Sequence, residues 1–554
     1  MIAALLVAGR AGPWLEAAEP LRITHGIASG DVTATEAVVW ARANRAAQMV
    51  VELTPVQTPA WPLTLRPGPA VGPADDFTGK VVVAGLMPDT RYLYWVRFRA
   101  GDEEVVSLAG QFRTLPLETA ARPVTLVWWG DLGGQGYCRD PERGYRVFHA
   151  MERIGADLAI ANGDSIYADS ACPPTTTLPD HPRNAVSADA ETAIHQLIDA
   201  VDPRWVSEAE VRAAYRGKWK YNAEDEAYRR FRARTPHVYQ WDDHEVINDW
   251  SPAEERIGAL RNSKDLRPMS ALVGPARKAF FEHTPIRPDS QGRIYRSLSL
   301  GRLAELIVLD LRSYRDDNLV PDGAGKRLAL RLATDDRRLI EGKAKTILGA
   351  EQKEWLLRTL RQAQTRGVLW KIISTNAPLS VPTGSYDAYS PEGPLTPLVS
   401  LRDGWAAGRR LNTDTDGNQA SPLGNESELR EILRVLQADG ITNVVWLTTD
   451  VHHARLLRYE PDHELTGLVF HEFISGPVSA YSAPPAPLST TFRPTELFAR
   501  GRSEDPARPS FLNFGVLRIA EDGRLRVEIR DVEGAIANDP LGRPGALTIT
   551  PTRP

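Results

Sequence analysis

At 554 residues the chain is too long for one ordinary domain and long enough for two to four units around a sizeable core, so a large enzyme fits comfortably. Its net charge of −5, from 66 basic against 71 acidic residues, excludes an overall electropositive field that would gather nucleic acid or an anionic membrane, so any attraction for phosphate must be local. Two cysteines, Cys138 and Cys172, exclude a disulfide framework and leave at most one bridge.

The opening MIAALLVAGRAGPWLEAAEP is short, apolar and rich in Ala and Leu, and reads as the tail of an export signal over residues 1–20. A secreted, periplasmic or cell-envelope location is the expectation, although no charged segment and no twin arginine precede it. No later window approaches ~18 uninterrupted apolar residues.

From 21 to 118 short strands are split by turn residues: AVVWARA, MVVEL, KVVVAGL, RYLYWVRFRA and SLAGQFRT. The alternation in RYLYWVRF puts Tyr92, Tyr94 and Val96 on one face, as a half-buried strand requires. An all-β sandwich is predicted here. GLMPDTRYLYWV resembles the fibronectin type III pattern, in which a tyrosine closes a corner, and this module is expected to hold no catalytic group.

After Pro123 apolar strands alternate with amphipathic helices, and an α/β layered domain is predicted over 122–536, with a tail at 537–554. Strands are expected at VTLVWWG, DLAIANGD, HVYQWDDHE, AELIVLDL, WKIISTN and NVVWLTTDV, and helices at GYRVFHAMERIG, AEQKEWLLRTLRQAQ and ESELREILRVLQADG. FGVLRIAEDGRLRVEIRDVEG reads as a hairpin with a two-residue Asp-Gly turn that closes the sheet. Cys138, on a loop, is read as unpaired, and as the one other candidate thiolate near the site.

Several of these strands end in ligand-type residues: Asp131 in WWGDLG, Asp164 in ANGDSIY, Asp243 and His244 in WDDHE, Asp450 and His452 in TTDVHH. A single such aspartate is more often a turn or cap residue. Several together, each directly after an apolar strand, would repel one another by several kcal/mol in one crevice unless a cation sat among them.

The set resembles the calcineurin-like metallophosphoesterases and, more closely, the PhoD-type alkaline phosphatases and related phosphodiesterases. ITHGIASGDVTATEAVVWAR, GDSIYAD, WDDHEVINDW, LDLRSYRD, LGAEQKEWL, TDVHHA and FISGPVSA carry the resemblance, in family order and over nearly the whole chain. It implies a metallophosphoesterase β-sandwich core of four layers flanked by helices. It also implies two-metal hydrolysis of phosphate esters, phosphomonoesters first, by a metal-bridging hydroxide, with phosphodiester or phospholipase D-like cleavage as the alternative on the same site. Asp164 would bridge the two metals, and Tyr167 would bind the first as a phenolate together with Asp131 and His452. The PhoD-type pattern has a cysteine where Asp131 stands, whereas GDLG reads like the purple acid phosphatases. Asp164, Asp243 and Asp450 would hold the second metal, with Asn376 where many relatives place a histidine. Between His244 and His452 the one histidine is His283, in FFEHTP. A phenolate ligand favours Fe³⁺ and an all-oxygen set favours Ca²⁺, Mn²⁺ or Mg²⁺ over Zn²⁺.

His244 would face the leaving group as proton or hydrogen-bond donor, being unable to reach Asp243's ion easily. Arg312 and Arg315 either present a guanidinium to the phosphate or pair with Asp310 and Asp316. Asn248 either adds an oxygen ligand or makes an Asx-turn, and His453 is expected behind the ligands rather than among them. The expected substrate is a small phosphate ester, a phospholipid or nucleotide being among the options, with no specific nucleic-acid binding and an open oligomeric state. A binding or adhesion protein with structural metals would be expected to have lost some ligand positions, and all but the histidine are intact in type.

Overall fold

The computed structural model describes residues 19–552 except 57–62, 188–191, 201–205, 249, 253–266, 288, 290, 316–345, 382–425, 487 and 489–491. Residues 1–18, Asp316, the segment 382–417 and the first part of 253–275 therefore lie outside the described residues. Among the described residues no helix is long and apolar enough to cross a membrane.

Two sheets face each other. The first has nine strands in the order Ala546–Ile549, Leu525–Asp531, Asn513–Ile519, Val124–Trp129, Leu158–Asn162, His237–Gln240, Ile23–Gly30, Glu36–Ala43 and Thr78–Ala84. The second has seven: Arg296–Ser299, Ala304–Val308, Trp370–Ser374, Val444–Thr448, Phe470–Ile474, Ala454–Tyr459 and Pro494–Arg500. Leu126, Trp128, Ile160 and Val238 of the first pack against Leu306, Ile372, Val445 and Phe473 of the second. Because helices cover the outer faces as well, these central strands are apolar on both sides and read as continuous hydrophobic runs. Helices Val147–Ile154, Glu208–Ala223, Glu226–Arg234 and Ser270–His283 share a core with the outer face of the first sheet. Helices Gly349–Thr365 and Glu426–Ala438 do the same for the second. The result is a four-layer α/β arrangement: the alternation of strands and helices predicted the α/β layering, and the resemblance implied the four layers.

The central strands run parallel, Leu158–Asn162 between Val124–Trp129 and His237–Gln240, and Trp370–Ser374 between Ala304–Val308 and Val444–Thr448. Their carboxyl ends consequently open on one edge of the sandwich, where α/β sheets form their sites.

The N-terminal strands do form a sandwich core, with Tyr92, Tyr94, Val96 and Phe98 buried together, and the Tyr92 hydroxyl accepts the Met87 N–H at 2.9 Å, closing the expected corner. One of its two sheets, however, is not separate. Ile23–Gly30 lies parallel beside His237–Gln240 through Gly30 and His237, extending the nine-stranded sheet. The docking is polar as well: Trp40 Nε1 donates to the Glu282 carbonyl at 2.7 Å and Lys80 to that of Phe281 at 2.5 Å, while Arg232 of the neighbouring helix Glu226–Arg234 takes that of His283 at 2.9 Å. These are the last carbonyls of helix Ser270–His283, which have no partner within their own helix.

Behind that helix end Arg42 grips Asp76 with two bonds of 3.1 and 3.0 Å, and His283 Nε2 stands 3.2 Å from the same carboxylate. Burial alone would raise the Asp76 carboxyl, but the His283 and Arg42 contacts overcome it and hold it well below the usual carboxylate range. Burial keeps His283 itself below the usual histidine value, so near neutral pH Arg42 supplies the charge. A depressed folded-state carboxyl contributes stability above the unfolded value of about 4 and loses it as pH falls through the folded one. Asp76→Asn is therefore expected to cost about 3 kcal/mol at pH 7, and the gap to wild type in urea unfolding should narrow below about pH 4. An equal gap at pH 7 and pH 3 would contradict this account of the pair.

Two sequence readings are corrected at the C-terminus. The hairpin loop is Glu521, Asp522 and Gly523, with the Ala520 N–H donating to the Arg524 carbonyl and Gly523 at φ 88°, so it is a three-residue loop with a left-handed glycine and not a two-residue turn. The expected tail at 537–554 also contributes Ala546–Ile549 as the edge strand, Leu547 opposite Val527. That run is too short for its alternation to stand out.

Candidate metal centre

The chain reaches the site through tight turns that put its donors on the open edge. Asp131, Asp164, Asp450 and His452 all have left-handed backbones, with φ of 62°, 49°, 74° and 57°. Non-glycine residues enter that region at a cost of order 1 kcal/mol or more, and such strain gathers at functional sites. Glycines supply the clearance. A Cβ on Gly134 would lie 2.2 Å from Tyr167 Cγ, and one on Gly476 2.2 Å from Asp131 Oδ2.

Three overlapping donor groups result: Asp131, Asp164 and His452; Asp164, Asp243 and His244; and Asp242, Asp243 and Asp450, the donor atoms of each lying within 4.8 Å of one another. Asp164 and Asp243 link the three into one centre. Tyr167 places its hydroxyl 2.9 Å from His452 Nε2, which is itself 3.7 Å from Asp131 Oδ1. Asn376 is fully buried beyond the strand Trp370–Ser374. Neither of its amide atoms has a hydrogen-bond partner, nor does either Asp131 oxygen or Asp164 Oδ2. Buried polar atoms are rarely orphaned without a reason such as an ion.

The electrostatics agree. Burial, and then the Asp242 and Asp243 charges, raise Asp131, Asp164 and Asp450 well above the carboxylate range. Burial also lifts Asp242 to about 6, with Arg312 opposing, and Glu245 to about 8. So many acids in one dry crevice must either take up protons or receive cations. Burial likewise raises the Tyr167 phenol, helped by Asp164 and Asp131, so a phenolate there also calls for a cation. His452 is already in the ligand state. Burial lowers it to about 4, and its Nδ1 donates to the Tyr481 carbonyl at 2.5 Å, leaving the Nε2 lone pair on the donor side. The clustered carboxylates and His452 are thus compatible with metal binding.

His244 belongs to the same centre. A ring nitrogen comes within 4.8 Å of oxygens of Asp164 and Asp243, so distance does not exclude it from the ligands, contrary to the sequence expectation. What distinguishes it is Asp169, whose Oδ1 is 2.6 Å from His244 Nδ1. Burial by itself would lower this histidine, but Asp169 and Asp243 overcome it and raise it to about 9. Its ring stacks on Tyr167 at 4.1 Å between centroids.

The guanidinium of Arg312 lies 2.5 Å from Asp242 Oδ1 and 3.4 Å from Asp243 Oδ2, paired with acids of the centre, while its backbone N–H goes to Asp310. Arg315 is buried nearby. The Asn248 N–H donates to Asp169 Oδ2 at 3.0 Å. His453 lies behind the ligands, Nδ1 on the Val451 carbonyl and Nε2 accepting from Arg455 at 3.0 Å.

Sequence reasoning gave no role to Asp169, Asp242 and Glu245. Glu245 accepts the N–H groups of Asp164, Ser165 and Asp242 at 3.2, 2.6 and 2.8 Å, so it shapes the Asp164 loop. All three lie inside quoted motifs, GDSIYAD and WDDHE, but spacing alone cannot tell which carboxylate of a run turns inward.

The reading of Cys138 as unpaired is overturned: it is bonded to Cys172. The bridge ties the loop after Asp131 to the loop after Tyr167, both sulfurs resting near the Gly133 carbonyl at 3.4 and 3.8 Å. It is no metal ligand. Replacing both cysteines by serine is expected to lower stability by about 4 kcal/mol, as loop closure predicts for a separation of 34 residues. Equal unfolding midpoints for oxidised wild type and variant would contradict it.

Residues 126–521 match the family model described as PhoD-like phosphatase, and residues 10–116 that of the PhoD-like phosphatase N-terminal domain. Alkaline phosphatase D of Bacillus subtilis (strain 168) is 25% identical over 464 residues, an alignment covering 80% of this chain and 66% of that protein, just under two thirds of its length. Among solved structures, that of PhoD superposes with a TM-score of 0.64 at 19% identity, covering 95% of this chain and 92% of the other. A purple acid phosphatase from yellow lupin (Lupinus luteus) seeds gives 0.53 at 15% identity, covering 95% and 74%. At these identities the two structures speak for the fold alone.

Proposed function

This chain belongs to the PhoD-like phosphatase family, and from that premise we propose that it hydrolyses phosphate esters at the buried centre, phosphomonoesters foremost. The observation that carries the reading is the convergence of Asp131, Asp164, Asp243, Asp450 and His452 in one buried place together with the orphaned amide of Asn376. Such an array is costly unless cations are its purpose. We assign Fe³⁺ to the phenolate side, with Asp131, Asp164, Tyr167 and His452, and Ca²⁺ to the oxygen side, with Asp164, Asp243, Asn376 and Asp450, with Mn²⁺, Mg²⁺ and Zn²⁺ as competitors to be measured. Bound there, the cation pair supplies charge for the phosphoryl oxygens and acidifies a water toward neutral pH.

The remaining work belongs to the chain. His244, kept protonated by Asp169, directs its other ring nitrogen at the departing oxygen and donates the proton that oxygen needs. Arg312 acts through Asp242 and Asp243, holding their carboxylates in place, rather than by touching the phosphate. Glu245 fixes the loop that carries Asp164 through its backbone amides. We also place the protein in an oxidising compartment outside the cytoplasm. The Cys138 to Cys172 bridge supports that reading.

Parallel assays on 4-nitrophenyl phosphate and bis(4-nitrophenyl) phosphate with the metal-loaded protein test the reading. Monoester turnover that is abolished by chelation and restored by iron plus calcium is expected. Turnover of the diester alone would replace the monoesterase by a phosphodiesterase, and turnover of neither would remove the enzymatic reading.

A further inference from the structure

Just outside the centre, Tyr481 joins the ligand His452 to the surface. Its carbonyl accepts from His452 Nδ1, so the residue sits one imidazole width from the metal-facing nitrogen. Its N–H donates to Gln135 Oε1 at 3.3 Å, and Gln135 is itself exposed next to Gly134, which underlies the Tyr167 ring. The Tyr481 side chain is 36% exposed, unusual for a large aromatic tethered to a buried ligand. Over its ring, 5.2 Å from the centroid, lies the guanidinium of Arg502, whose Nη1 donates to the Tyr481 hydroxyl at 2.8 Å. Among the described residues no carboxylate lies within ion-pairing distance of Arg502. Asp180, on the neighbouring loop, is taken up by the Tyr137 hydroxyl and the Ser510 N–H.

Resting on the phosphoesterase reading above, we propose that Tyr481 and Arg502 form a rim subsite for the nucleoside part of a nucleotide substrate, the base lying against the Tyr481 ring that the Arg502 guanidinium backs. An aromatic plane backed by a cation is the surface on which bases stack irrespective of sequence. The tether through His452 keeps this plane at a fixed offset from the scissile phosphate, so stacking there orients the ester as well as binding it. The Gln135 amide NH₂ adds a donor for a base edge or ribose hydroxyl at the same rim. An acyl chain is poorly served by this rim, because Gln135 and Arg502 flank the ring with polar groups.

Calorimetric binding of AMP, as its non-hydrolysable methylenephosphonate analogue, and of inorganic phosphate to the metal-loaded protein tests the subsite without relying on turnover. Tyr481→Ala is expected to weaken AMP about tenfold more than it weakens phosphate, the low end of what one base stack contributes. Tyr481→Phe should keep most of that preference, and Arg502→Gln should lose part of it. An unchanged ratio of AMP to phosphate affinity in Tyr481→Ala, with metal content intact, would overturn the subsite. Turnover of AMP and glycerol phosphate by the same wild-type preparation reports separately on the phosphomonoesterase reading, so the two ideas can fail independently.

Discussion

Asp164→Asn is expected to lower phosphate-ester turnover by at least about a thousandfold, because metal charge stabilises such transition states by several kcal/mol. Asp164 belongs to both the histidine-bearing groups of the centre, one with Asp131 and His452, the other with Asp243 and His244. Its Oδ2 is an orphaned buried acceptor, and its Oδ1 already receives the His244 N–H at 3.3 Å. Asparagine keeps the shape of the side chain and its fit to the left-handed backbone at φ 49°, since Asn tolerates that region nearly as well as Asp. The fold should therefore survive while the bridging charge is lost. Metal analysis should find less than the full complement of cations in the variant at an unchanged unfolding midpoint. Retained metals together with wild-type turnover would remove Asp164 from the bridging position.

His244→Asn is expected to lose about a thousandfold in kcat with both cations retained, within the range for a positioned general acid. The loss should depend on the leaving group. An alkyl alcohol leaves badly without a proton, whereas 4-nitrophenolate is stable as an anion, so the variant should be much closer to wild type on 4-nitrophenyl phosphate than on glycerol phosphate. Asp169→Asn, which removes the carboxylate 2.6 Å from His244 Nδ1, should reproduce this leaving-group dependence in weaker form. Loss of metal from His244→Asn would instead make the histidine a ligand, as its 4.8 Å grouping with Asp164 and Asp243 permits. Equal losses on both esters with metals intact would leave it with no role in protonating the leaving oxygen.

Much of this architecture was legible because the strands announce themselves. VTLVWW, LAIAN, WKIIS and VVWLT are apolar on both faces, which marks strands buried between a sheet and helices, and each is followed within a few residues by a polar ligand type. RYLYWVRFRA was legible by its alternation, and the burial of Tyr92, Tyr94, Val96 and Phe98 follows that pattern. What stayed hidden depends on distant parts of the chain. Neither the bond from Asp169 to His244 nor the turn of Arg312 toward Asp242 has any local signature, since each joins segments that only the folded sheets bring together. Cys138 and Cys172 offered one possible bridge, but spacing could not say whether their loops meet. The junction of Ile23–Gly30 with His237–Gln240 was invisible for a similar reason: a strand's hydrophobic pattern reports which face is buried and not which neighbour it takes.

Elemental analysis of natively purified protein, with a visible absorption spectrum on the same sample, tests the central claim most directly. The account predicts two cations per chain, one of them iron, and a charge-transfer band that disappears in Tyr167→Phe. A fully active protein that contains no bound metal would contradict it.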